Sequence, residues 1–233
     1  MKKTIFLSAT AAVMILMASC GSNAQKQPAM SDAQFAALLM EIFYKLPESV
    51  MPESLKTENQ RKTAELTIID EPEYINLLSY NDYSGEANHE NWHMAGYLTT
   101  DQKNMVLIIQ FIGGFDEVGG IMFDKTLNYN IKTKKITELE RPIETFTTDE
   151  LFEDMGGRAD IKKQAIAFFN REPEIFYRFD REGFSAHPNL SMFWYGSSEE
   201  IFDYYNEHYS EIYFENSKPA CRIWNGSRFV KNQ

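Results

Sequence analysis

Between Trp92 and Leu139 the chain runs through four segments, 92 to 98, 105 to 112, 121 to 130 and 135 to 139, in which β-branched and aromatic residues recur at period two. That period belongs to strands, whose successive side chains point to opposite faces. The connections, Thr99 to Asn104, a glycine-rich stretch from Gly113 to Gly120, and Lys132-Thr133-Lys134, are too short for crossover helices. The four segments must therefore form an antiparallel meander. Met105-Val106-Leu107-Ile108-Ile109 is apolar at every position, so both faces of that strand are buried and it is the expected centre of the sheet.

Helical spacing brackets the meander. Ser31 and Gln34 form a capping box, followed by Phe35, Leu38, Leu39, Ile42, Phe43 and Leu46 on one helix face, and Pro47 stops the run. A second helix is expected from Thr57, with Gln60 as box partner, to about Asp70. A strand is expected from Tyr74 to Tyr80. Beyond the meander, Thr147 with Glu150 caps a short helix closing at Gly156-Gly157, and Asp160 is the expected cap of another through Ile161, Ala165 and Phe168. A hairpin joins Glu174–Phe179 to Phe184–Ala186, Leu190 to Tyr195 reads as a strand, Ser198 to Tyr209 as a helix, and Asn225-Gly226 as the turn of a closing hairpin. No strand-helix-strand crossover repeats. The expected class is α+β, a largely antiparallel sheet of meander and hairpins with an N-terminal amphipathic helix packed on it.

The first thirty residues read as an address. Lys2 and Lys3 precede an uncharged stretch centred on Ala11-Ala12-Val13-Met14-Ile15-Leu16-Met17, the form of a signal peptide over residues 1-19. Polar Ser8, Thr10 and Ser19 leave it short of the roughly 20 apolar residues of a membrane span. Residues 20-31, small and amide-rich, form a flexible tether, and residues 32-233 one domain, with a division into two subdomains near 145-160 as the alternative. With 34 acidic against 23 basic side chains the chain carries a net charge of -11, which disfavours phosphate backbones and excludes a nucleic-acid partner.

Leu16-Met17-Ala18-Ser19-Cys20-Gly21 resembles the lipobox of bacterial lipoproteins. Together with the tether, the phrase Tyr129-Asn130-Ile131-Lys132-Thr133-Lys134-Lys135-Ile136-Thr137-Glu138-Leu139 and the closing Trp224-Asn225-Gly226-Ser227-Arg228-Phe229-Val230, it makes the chain look like small uncharacterised lipoproteins common in Bacteroidetes. The resemblance implies lipidation at Cys20 and a cell-envelope location, at the outer membrane facing the periplasm. It carries over no catalytic residue. With Cys20 committed to lipid, Cys221, the only other cysteine, is expected to be a buried, reduced thiol beside Ile223 and Trp224.

One motif carries chemistry. His89-Glu90-Asn91-Trp92-His93 fits H-E-x-x-H, in which a helix sets both histidines against zinc and the glutamate activates bound water. On that reading His89, His93 and Glu117 are the metal ligands and Glu90 the general base of a zinc metallopeptidase. Against it, Trp92 to Leu98 alternates as a strand, in which positions four apart lie about 13 Å from each other. The favoured expectation is a non-enzymatic module, without a cofactor, that binds a peptide, glycan or protein partner. The glycine-rich stretch lacks the lysine and hydroxyl of a phosphate loop, and its Asp116 and Glu117 would repel phosphate. His187 and His208 have no serine or cysteine at an informative spacing. The aromatic residues from Phe193 to Phe214 are weighed as core ahead of a ligand platform.

Overall fold

The computed structural model describes residues 30–64, 67–68, 77–82, 88–115, 118–140, 145–152, 158–171, 173–210 and 220–231. The leader, Cys20, nearly all of the tether, Glu117, Gly156-Gly157 and Tyr213-Phe214 lie outside them. Among the described residues, ten strands form two antiparallel sheets. β1 (Thr67–Ile68), β2 (Leu77–Asp82), β3 (Asn88–Leu98), β4 (Asn104–Phe115), β5 (Val118–Asn130) and β6 (Lys135–Glu138) follow one another in sequence order across the first. The second has the order β10-β9-β8-β7, with β7 Ile175–Phe179, β8 Gly183–Pro188, β9 Cys221–Trp224 and β10 Phe229–Lys231. The class is α+β.

α1 (Asp32–Lys45) starts at the Ser31 and Gln34 box and buries Phe35, Leu38, Leu39, Ile42 and Phe43 against one face of the first sheet. On that face even-numbered β3 residues Trp92, Met94 and Leu98 meet Leu107 and Ile109 of β4 and Leu127 of β5. Close approach is built in at Gly96, where a Cβ would sit 2.7 Å from Leu39 Cδ2 and 2.8 Å from Met105 Sδ. A six-residue α2 (Glu58–Thr63) then places Arg61 under the end of α1. Its guanidinium is buried and donates to four backbone carbonyls, those of Leu55 (2.8 Å), Leu46 (2.9 Å), Lys56 (3.0 Å) and Tyr44 (3.3 Å).

The opposite face of the first sheet packs on the second. Leu77, Ala95, Tyr97, Val106 and Ile108 share a core with Tyr177, Phe179, Phe184, Trp224 and Phe229. Three polar side chains fasten it: the Tyr97 hydroxyl donates to the Asp180 and Gly183 carbonyls, the Trp224 indole N–H donates to the Leu98 carbonyl at 2.6 Å, and Gln110 reaches β7. A third core joins α3 (Thr148–Phe152), α4 (Ala159–Phe169), α5 (Ser191–Tyr195) and α6 (Glu199–Ser210) through Phe152, Ile161, Phe169, Phe193 and Trp194.

Several expectations are corrected. The second helix ends at Thr63, and Thr67-Ile68 pairs with β2: β-branched residues favour strand over a continued helix. The glycine-rich stretch is a hairpin connection as expected, but the paired strands run further into it: Gly113 pairs with Gly120 and Gly114 with Gly119 in a ladder continuing to Phe115 and Val118. Leu190 to Tyr195 is not a strand: Trp194 N–H donates to Leu190 C=O as in a helix, and the short turn tucks Phe193 and Trp194 beside α4. Aromatic content favoured a strand, but five residues carry too little period to decide. Asp160 does not cap α4; it pairs with Arg158 at 2.9 Å from the first turn. Cys221 is fully buried as expected, and in this structure it is disulfide-bonded where a reduced thiol is expected.

Candidate functional site

The H-E-x-x-H residues lie inside β3, not on a helix. Backbone register puts His89 opposite Gly114, Glu90 opposite Asp82 and Gly113, and His93 opposite Ser79 and Gln110. Extended backbone at this spacing holds positions 89 and 93 about 13 Å apart, and alternation assigns position 90 to the other face. The convergence that zincin chemistry takes from a helix is therefore not made by this strand. Among the described residues no group of three or more His, Cys, Asp or Glu could hold a metal ion.

His93 takes part in something else. Ser79, His93, Gln110 and Asp124 are register partners across β2, β3, β4 and β5, a polar row crossing the face that meets the second sheet. Ser79 Oγ lies 2.9 Å from His93 Nδ1, and burial pushes the imidazole down to about 4, so it is neutral at pH 7. Gln110, wholly buried, donates to Ile175 C=O (2.9 Å) and accepts from Tyr177 N–H (3.0 Å), acting as a backbone partner for β7. Beside it Glu174 accepts from Asn189 Nδ2 at 2.7 Å.

A second serine-histidine pair sits in β8, where positions two apart share a face. Ser185 Oγ is 3.0 Å from His187 Nε2, and burial, with Arg178 adding repulsion, lowers the imidazole to about 4. A neutral imidazole beside a hydroxyl is the first half of a nucleophile-base pair. Both residues are about 6% exposed, so in this arrangement a substrate has no approach. Ser185 and His187 stand two apart, a spacing that carries meaning only once β8 is known to be a strand. Of the aromatic stretch, Phe193 and Trp194 are core and Phe202 and Tyr204 pack partly buried against it.

An open concavity among the described residues lies elsewhere. Between the end of α1, the turn that follows it, and the β5–β6 edge runs a groove of about 410 Å³. Pro47, Val50, Leu127 and Ile136 make its apolar floor, and Lys45, Lys125 and Glu138 its rim. Lys125 pairs with Glu138 at 2.7 Å, while Lys45 and Lys134 both bind Glu41, at 2.6 and 2.8 Å. These two lysines hold the Glu41 carboxyl down to about 2. No sequence pattern announced this groove, since its residues come from positions 45 to 50 and 125 to 138 and meet only in the folded sheet.

The chain was compared with protein-family models, curated proteins and solved structures, and nothing in any of the three matches it.

Proposed function

We propose that this chain is a lipid-anchored cell-envelope protein, held through Cys20 at the outer membrane and facing the periplasm, whose α+β domain is a non-enzymatic binding module. What carries the binding half is the separation of chemistry from access. The Ser185–His187 pair is buried and the Ser79–His93 pair half-buried between the sheets, whereas the open groove is lined by apolar residues and by lysines already paired with glutamates. The placement of the H-E-x-x-H run in β3 weighs against the zinc metallopeptidase reading with Glu90 as base. The anchor half is supported by the basic start, the apolar run and the Leu16-to-Gly21 lipobox.

The chain has two cysteines, so a disulfide at Cys221 and a thioether at Cys20 would draw on the same sulfur. The lipidated form proposed here carries Cys221 as a buried thiol. Metabolic labelling with a palmitate analogue, followed by thiol counting in denaturant, separates the two. Label incorporated by the natural chain and lost in Cys20→Ala, with one thiol per labelled chain, is the expected result. Unchanged membrane retention and labelling of Cys20→Ala would overturn the anchor.

A further inference from the structure

We propose that Asn225 is a self-modifying site: the fold promotes cyclisation of its side-chain amide onto Gly226 N, and the ring opens to aspartate or isoaspartate, loosening the seat of the closing hairpin on the first sheet. The proposal is independent of both the lipid anchor and the binding-module reading.

The turn supplies a nucleophile. Among the asparagines of the chain, Asn225 alone is followed by glycine. The cyclisation joins a backbone nitrogen to the side-chain carbonyl carbon of the residue before it, and a Cβ on the attacking residue obstructs that approach. Gly226 has none, and its φ of +91° is a conformation glycine holds without strain. Its N–H donates to no acceptor among the described residues. A bond of 3.0 Å from Ser227 N–H to Asn225 Oδ1 closes a ring that contains Gly226 N and folds Cγ back toward it.

The turn also supplies an anion site for its own amide. Asn225 Oδ1 accepts from Ser227 N–H, Ser227 Oγ–H and Arg228 N–H, each at 3.0 Å. In the tetrahedral intermediate this oxygen is anionic, and donors already aimed at it hold the anion more strongly than the neutral amide. An unfolded chain has the same Asn-Gly pair without the donors in place. Hydroxide takes the Gly226 amide proton, the Gly226 N–Cγ bond forms, the Cγ–Nδ2 bond breaks, and ammonia leaves with a proton from water. Water then opens the imide at either carbonyl. Asn225 is exposed, so both reagents reach it. Asn130 is the internal contrast: its Oδ1 accepts from Thr133 N–H and Oγ–H at 2.9 Å, but Ile131 follows it and spends its N–H on Lys103 C=O at 2.9 Å. That asparagine has donors and lacks the nucleophile.

The same turn fastens β9 and β10 to the first sheet. Thr100 N–H donates to Gly226 C=O at 3.0 Å, a Cβ at position 226 would collide with Thr100 Oγ1, and Asn225 N–H closes the turn on Arg228 C=O at 3.1 Å. Isoaspartate routes the main chain through the former side chain, adding one carbon between Trp224 and Gly226 and leaving a carboxylate beside it. The spacing that seats Gly226 on Thr100 is then lost.

The test incubates the full chain in detergent micelles in mildly alkaline buffer, folded or in urea, and follows the tryptic peptide from Ile223 to Arg228 by mass spectrometry. Conversion at Asn225 is expected to run about tenfold faster in the folded chain, and Ser227→Ala to slow the folded chain about threefold while leaving the urea rate unchanged. Thr100 N–H should exchange about tenfold faster in the isoaspartate form, whereas Asn225→Asp, which adds the charge without the carbon, should keep its protection. Conversion no faster in the folded chain than in urea, or equal conversion at Asn130, overturns the self-modification. Unchanged Thr100 exchange in the isoaspartate form overturns its effect on the hairpin.

Discussion

The two faces of the first sheet are drawn from alternate residues of the same strands, yet they solve burial differently. Toward α1 the contacts are apolar: Trp92, Met94, Leu107 and Ile109 interdigitate with Leu39, Ile42 and Phe43. Toward the second sheet the apolar core is crossed by Ser79, His93, Gln110 and Asp124 and keyed to β7 by two hydrogen bonds from one glutamine. Dispersive packing tolerates changes of shape at constant volume, whereas a buried polar key tolerates almost none, because truncation leaves its partners unsatisfied. One face supplies bulk stability. The other fixes how the second sheet sits.

Acid should act most strongly on the polar face, through His93, and on the far side of the second sheet, through His187. His93 and His187 titrate near 4 in the folded chain and near 6.5 when unfolded, so between those values the unfolded state binds more protons and stability falls as pH falls. The loss by pH 4 is on the order of 3 kcal/mol for each histidine, read as urea midpoints at pH 7, 5.5 and 4. A His93→Gln variant should flatten roughly half of the slope. Midpoints that do not move above pH 5 would break the contrast. Glu150, held at about 2 by Thr147, Lys231 and Arg222 against its own desolvation, adds a further loss only as pH falls below about 4.5.

Next in size is Trp92→Ala on the α1 face, which removes a fully buried indole and its bond to the Val50 carbonyl at 2.9 Å. A cost of about 3–5 kcal/mol is expected by calorimetry.

The sharpest comparison pairs two near-isosteric changes. Gln110→Leu should cost about 2–4 kcal/mol, since Ile175 C=O and Tyr177 N–H both lose their partner. Met94→Leu, equally buried on the other face, should cost less than about 1.5 kcal/mol. Similar denaturation midpoints for the two variants would erase the distinction drawn between the faces.

The strands from Trp92 to Glu138 were legible because each is long enough for period two to declare itself, and α1 because its capping box and apolar stripe agree. Gln110 was not legible as a key, since a glutamine in a strand looks the same in sequence whether its amide meets water or another strand's backbone. The extra residue at Met122, where the β4–β5 register shifts beyond Phe111, and the short helix α5 escaped for a related reason. Both depend on what lies across from them. Of the candidate site, the strand placement of Trp92 and His93 followed from local pattern, whereas the extension of β3 back to Asn88, across what reads as a loop-to-strand boundary, did not; Ser79 beside His93, Ser185 beside His187 and the groove under β6 all depend on pairing between segments far apart or on strand geometry that residue types do not encode.

The first sheet tapers. Its central strands β4 and β5 are 12 and 13 residues long, while its borders are β1 with two residues and β6 with four. Long apolar strands are templates for runaway pairing between chains. Here the segments with the strongest tendency to polymerise are enclosed by neighbours, and the backbone left at either border is too short to propagate a fibre.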